Sequence, residues 1–268
     1  MNAGLGDNSD IEEVGDAQEL LWGDANGPGA RCVLFDFDGP VCRLFPEGSS
    51  RALADRLRDL VSAFGLAGVL TPQERTDKNP HAVLRALHRA RWDEDLGDAD
   101  VEGLVDRLEV CVTEGELAAA RTAWPTPHAH ALIRRLVAGG LRLAVVTNNS
   151  PKAAGHYLRA HGLHGCFEAI HGRTADPDLM KPHPDVLHRA LGSLGLPAED
   201  AVMIGDAPMD FLAAERAGVR FIGYGRNALK RARMRDAGAK VVVGSFAPLF
   251  PETGRSGVGE AAGGARVR

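Results

Sequence analysis

"CVLFDFDGPVCRLF", residues 32–45, sets a run of apolar residues against Asp36 and Asp38, and then breaks the chain at Gly39 and Pro40. An apolar run of this length, ended by turn residues, predicts a strand buried on both faces. Two carboxylates one residue apart repel and resist ionising together unless a cation or catalytic work holds them there. Their position at the end of a buried strand is therefore the first functional clue.

The chain has 268 residues, enough for one large α/β domain or a core with a smaller insert. Its apolar fraction of 44% suits a substantial core, and its net charge of −5 argues against a nucleic-acid partner. No apolar run reaches the length of a bilayer span, and the N-terminus lacks the pattern of a secretory signal. Cys32, Cys42, Cys111 and Cys166 form no CxxC pair. They read as reduced thiols, and the expected location is cytoplasmic.

Further buried-strand patterns follow at "LRLAVVTN", "CFEAIHG", "AVMIGD", "VRFIGYG" and "KVVVGS". Helical patterns at about 127–139, 151–162, 184–195, 209–217 and 227–237 separate most of them. This alternation predicts right-handed βαβ units in a doubly wound parallel sheet, an α/β fold. Ligands bind such sheets beyond the carboxyl ends of the strands.

Residues 45–124 break the rhythm with helical stripes alone, Leu53, Leu57, Leu60, Val61 and Phe64 on one and Val101, Leu104, Val105, Leu108, Cys111 and Val112 on another. A shorter helix is expected from Pro80, capped by Asn79. The expected organisation is a core of residues 31–44 and 125–248 with a helical insert at 45–124. Residues 1–30 are expected as a disordered tail, with at most a helical turn near Glu19–Trp22, and 249–268 as a flexible one.

Polar residues collect at the strand ends: Asp36 and Asp38, then Thr147, Asn148 and Asn149, then Asp206 with Asp210 four residues on. Lys181 stands in a loop before a helix. Carboxylates, a hydroxyl and a lysine suit phosphoryl transfer, because a carboxylate attacks phosphorus only once the phosphate charge is neutralised. Oxygen ligands of this kind suit Mg²⁺. A calcium loop starting at Asp36 fails, since Pro40 takes a ligand position and Val41 replaces the obligatory glycine.

"DFDGPV", "TNN", "KP" and "GDAPMD", in that order, resemble the four motifs of the haloacid dehalogenase superfamily. The insert after the first motif resembles the cap of its phosphoglycolate-phosphatase-like members. The resemblance implies a Mg²⁺-dependent phosphatase with a Rossmann-like core, acting on a small phosphorylated metabolite and not on nucleic acid or membrane. It implies that Asp36 is the nucleophile and that Asp38 is the acid and then the base. Thr147, Asn148 and Lys181 would hold the phosphoryl group, and Asp36, Asp38, Asp206 and Asp210 would surround the metal. Pro40 departs from the usual threonine and Ala207 from a common serine. A phosphomutase of the same superfamily and a non-catalytic binding module are the alternatives.

Three further residues outside the motifs carry expectations. His81 is read as a surface or loop residue, although it also belongs to the insert segment "RTDKNPH" that could face an anionic group. Arg173 and Arg43 are read as members of structural ion pairs. The segment "RNALKRARMR" is read as a basic, solvated helix face.

Overall fold

The computed structural model describes residues 8–25, 27–48, 50–92 and 101–250. Its first element departs from expectation: Asn8–Trp22 form a helix, α1, where a disordered tail was expected. Ala17 and Leu21, one turn apart, are buried. Gln18 Nε2 donates to the carbonyl of Pro248 at 2.6 Å and Trp22 Nε1 to that of Leu249 at 3.0 Å. The surface that orders α1 thus comes from the other end of the chain, and Leu249 is buried there rather than part of a flexible tail. Residues 1–7 and 251–268 of the two expected tails lie outside the described residues.

After α1 come a short hairpin, β1 (Gly23–Asp24) and β2 (Gly27–Pro28), then β3 (Cys32–Phe35) and β4 (Cys42–Arg43). The helices α2 (Ser50–Ala63), α3 (Pro80–Ala90) and α4 (Val101–Ala120) follow. The chain continues through β5 (Trp124–Pro125), α5 (Ala129–Ala138), β6 (Arg142–Val146), α6 (Pro151–Ala160) and β7 (Ala169–His171). It ends with α7 (Asp185–Leu194), β8 (Ala201–Gly205), α8 (Pro208–Ala217), β9 (Arg220–Tyr224), α9 (Ala228–Asp236) and β10 (Val242–Val243).

Six of these strands form one parallel sheet in the order β10-β9-β8-β3-β6-β7. The strand order reverses at β3, which is the topological switch point of a doubly wound fold. Side chains alternate across the sheet, and both faces are covered. Val33, Phe35, Val145 and Ile204 belong to one cluster, and Leu34, Ala144, Val146 and Met203 to the other. Full burial of each large side chain contributes on the order of 1.5–3 kcal/mol.

Register fixes the level of the site. Phe35 pairs with Val145 on one side and Ile204 on the other. Asp36 therefore leaves β3 one residue short of the levels at which Thr147 and Asp206 leave theirs. One sheet edge receives all three.

The stripes predicted for 45–124 are realised in α2, α3 and α4. Leu53, Leu57, Val61, Leu104, Leu108 and Val112 bury one another in a cluster separate from the sheet's two. Asn79 caps α3 as expected, its Oδ1 accepting from the His81 amide at 3.0 Å, with Pro80 in the first turn. The chain enters and leaves this helical unit side by side, because β4 pairs antiparallel with β5. Met180, the neighbour of Lys181, belongs to the unit's cluster rather than the sheet's. The helices are thus packed against the loop that carries the site lysine.

Among the described residues, no helix is long and apolar enough to cross a membrane.

Candidate active site

The turn after β3 reverses the chain tightly: Gly39 N donates to Cys42 O at 2.6 Å and Cys42 N to Phe37 O at 3.2 Å. Gly39 has φ +130°, and a Cβ there would lie 2.2 Å from the carboxylate carbon of Asp206. Only glycine lets the first aspartate loop approach the end of β8 this closely. Asp38 is tied into the same turn, its Oδ1 accepting from the Leu44 amide at 2.8 Å.

Lys181 arrives from the loop before α7 and is buried to 1% exposure. Its ammonium has three donors, and three acceptors meet them. Asp36 Oδ1 lies at 2.8 Å, Asp210 Oδ1 at 2.7 Å and the Val146 carbonyl at 3.0 Å. Asp210 turns back from the first turn of α8, its Oδ2 accepting from the amides of Asp206 and Ala207 at 3.0 Å each. Gly205 makes room for this, since a Cβ there would lie 2.4 Å from Asp210 Cβ.

Thr147 is buried, and its hydroxyl accepts from the Asn149 amide and donates to Asn149 Oδ1, both at 3.1 Å. Asn148 lines the same cavity as Asp36 and Lys181, and its carboxamide also bonds the backbone of Lys181. It accepts from the Lys181 amide at 2.8 Å and donates to the Lys181 carbonyl at 3.2 Å. Asn148 is therefore placed to orient the lysine.

Two contributors to the site, Lys230 and Glu116, escaped the sequence reading. Lys230, the third residue of α9, ion-pairs with Asp206, and the cap residue Asn227 holds that turn by accepting from the Lys230 amide at 2.9 Å. Glu116, wholly buried on α4, takes His81 Nε2 and Asn149 Nδ2 on Oε1, both at 3.1 Å, and the Ser150 amide on Oε2 at 2.7 Å. His81 is accordingly buried against Glu116 rather than lying at a free surface. Arg173 does form the structural ion pair expected of it, with Glu116 and Glu109. Arg43 forms no ion pair among the described residues; it lies over the Trp124 ring, 5.0 Å from the centroid.

Burial pushes Asp36 up to about 7 against the pull of Lys181, with Asp210 and Asp206 adding to the rise. Burial likewise pushes Asp38 up to about 6, opposed by the Leu44 amide, and Asp206 up to about 6, opposed by Lys230. Four carboxylates (Asp36, Asp38, Asp206, Asp210) face two ammonium groups (Lys181, Lys230), so negative charge is in excess. Oxygens of Asp36, Asp206 and Asp210 lie within 4.8 Å of one another. An all-oxygen, under-neutralised donor set of this size fits Mg²⁺. Asp210, with both oxygens already engaged, fits as a support for the ligands more than as a ligand.

Asp36, Asp38, Thr147, Lys181 and Asp206 line a cavity of about 390 Å³, roofed by Lys78, Asn79, His81 and Arg85 from the helical unit. The family model for haloacid dehalogenase-like hydrolases matches residues 30–218, which include this whole constellation except Lys230. The chain belongs to the haloacid dehalogenase-like hydrolase family.

Among individual relatives, it is 30% identical to the phosphoglycolate phosphatase of Rhodospirillum rubrum over 247 residues, covering 85% of this chain and 95% of that one. It is 33% identical to the phosphoglycolate phosphatase of Yersinia pestis over 130 residues, 48% of this chain. That match spans 55% of the relative, so the chain spans about half the length of several curated relatives it matches. The fold is similar to that of CbbY from Rhodobacter sphaeroides, solved in complex with phosphate. The TM-score is 0.57 at 24% identity, over 81% of this chain and 95% of that one.

Proposed function

We propose that this chain is a phosphatase that hydrolyses a small phosphoric monoester through an aspartyl-phosphate on Asp36. The observation that carries the reading is Lys181 Nζ held between Asp36 and Asp210, at 2.8 and 2.7 Å, on the floor of a cavity at the sheet's carboxyl edge. A carboxylate so fixed is oriented for attack, and the buried ammonium offsets the charge that an incoming phosphate brings.

In the first half-reaction an Asp36 carboxylate oxygen bonds to phosphorus and the ester P–O bond breaks. The leaving oxygen takes its proton from Asp38. In the second, water bonds to phosphorus as Asp38 takes a water proton, the Asp36–phosphorus bond breaks, and inorganic phosphate leaves. Thr147, just after β6, would turn its hydroxyl hydrogen from Asn149 Oδ1 to an oxygen of the transferring group. Asp36 and Asp206, with the Asp38 backbone, would hold Mg²⁺, which when bound neutralises phosphoryl oxygens.

The helical unit, residues 45–124, acts as a cap that excludes water and selects the leaving group. Lys78, His81 and Arg85 face the same cavity as Asp36, which favours a leaving group with an anionic end. Similarity over 85% of this chain to a phosphoglycolate phosphatase supports the same class, a small phosphorylated hydroxy acid. The test is phosphate release from a panel of small phosphate esters with Mg²⁺, by the wild type and by Asp36→Asn. Release by the wild type and none by the variant is expected; equal rates would refute the assignment.

A further inference from the structure

A second cavity, about 540 Å³, adjoins the reaction cavity at Asp38 and Asp206 and is lined by Arg43, Tyr224, Arg226, Lys230 and Ser245. It belongs to the core, at the carboxyl end of β9, and contains none of the residues from α2, α3 or α4 that roof the reaction cavity. Asp38, Phe45, Asp206 and Lys230 line both cavities, so the two share a boundary.

Its charge is unusual for an acidic protein. Arg43 rests on Trp124 and Arg226 is exposed, and neither guanidinium has a carboxylate partner among the described residues. Arg43, Arg226 and Tyr224 line this one cavity together. Tyr224 is itself held flat against Phe246, with ring centroids 4.4 Å apart. The acids facing the cavity are Asp38 and Asp206. Asp206 is neutralised by Lys230, and Asp38 turns an oxygen toward the Leu44 amide. Ser245 Oγ accepts from the Ala247 amide, leaving its hydrogen to donate. Two guanidiniums without carboxylate partners line this cavity with Tyr224 and Ser245, a donor set for a tetrahedral oxyanion.

We propose that this cavity is a second anion site, for inorganic phosphate or a phosphate group, adjoining the reaction cavity at Asp38 and Asp206. The proposal rests on the phosphatase reading for its consequence: the product of the reaction would occupy this site as well as the reaction cavity. Phosphate bound there adds negative charge beside the acid–base residue without displacing the ester. It therefore inhibits by lowering the apparent kcat as well as by raising the apparent KM.

The test uses the full chain with Mg²⁺ and inorganic phosphate as probe. Calorimetric titration of the wild type should give two phosphates per chain, and Arg43→Gln/Arg226→Gln should give one. Arg226→Gln alone leaves the Arg43–Trp124 contact intact and guards against misfolding; it should weaken the second site at least tenfold. Against a chromogenic phosphate ester, phosphate inhibition should be mixed in the wild type and competitive in the double variant. A single phosphate per chain in the wild type, or two in the double variant, overturns the proposal. Purely competitive inhibition of the wild type does the same. Stoichiometry is read without turnover, so failure here and failure of the phosphatase assignment are separate results.

Discussion

Glu116 and Arg173 form an ion pair, at 2.7 Å, in which neither side chain exceeds 1% exposure. One sits on α4 of the helical unit and the other in the loop after β7, at the carboxyl edge of the sheet. Glu116 also accepts from Asn149, whose carboxamide holds the Thr147 hydroxyl. A single carboxylate thus joins the helical unit to the strand end that carries the site threonine.

Glu116→Gln should therefore destabilise the fold by about 3 kcal/mol, because it leaves a buried guanidinium without its main counter-charge. Glu109→Gln removes the solvent-facing partner of the same guanidinium and should cost less than about 1 kcal/mol. Urea unfolding of both variants measures the contrast, and equal effects would contradict the description of a buried lock.

The same carboxylate sets an acid limit. Burial would raise the Glu116 pKa, but His81 and then Arg173 overcome it and hold it at about 2, below the ordinary 4.5. A depressed folded-state pKa means that the unfolded chain binds the proton more readily, so stability rises with pH in this window. The contribution, on the order of 3 kcal/mol, is fully present above about pH 4.5 and is lost as pH falls toward 2. The acid unfolding midpoint of Glu116→Gln, followed by far-ultraviolet circular dichroism, should show less steepening in that window than the wild type.

Asn148→Ala should lower kcat by about tenfold or more with little change in KM. It removes two of the three bonds that fix the Lys181 backbone, leaving the one from Arg85 to the carbonyl. Asn148→Asp keeps the acceptor and loses the donor, so it should restore only part of the rate. Steady-state kinetics on both variants is the check, and an increase confined to KM would assign Asn148 to phosphate binding.

Mg²⁺ in large excess over its Kd should raise the melting temperature, since a ligand at about a hundred times Kd adds about 2.7 kcal/mol to the folded state. Asp206→Asn should abolish the rise. Gly39→Ala, whose new methyl would occupy the space of the Asp206 carboxylate, should abolish it too. Thermal scans with and without the ion measure this, and an undiminished rise in Asp206→Asn would exclude that residue as a ligand.

The sheet and its carboxyl edge were legible because they depend on local patterns. Cys32–Phe35 is continuously apolar, and Asp36, Thr147 and Asp206 each follow such a run. Side-chain commitments were not legible, because they are made across the fold. Nothing in "TNN" shows that Asn148 turns to the Lys181 peptide. The basic composition of α9 hides Lys230, which reaches Asp206 from the first turn of that helix. Helix α1 escaped because its buried face, Ala17 and Leu21, is ordered by residues near 249. Glu116 did leave a trace. It continues the buried series Leu104, Leu108, Val112 at a spacing of four, and an acid in that place demands a buried partner.

The claim on which the account depends is that Asp36 carries the phosphoryl group. Rapid acid quench during turnover, followed by peptide mass spectrometry, tests it directly. The account predicts one added HPO₃ on the peptide containing Asp36, absent from Asp36→Asn. Turnover with no phosphorylated aspartate, or a phosphoryl group found on another residue, would contradict it.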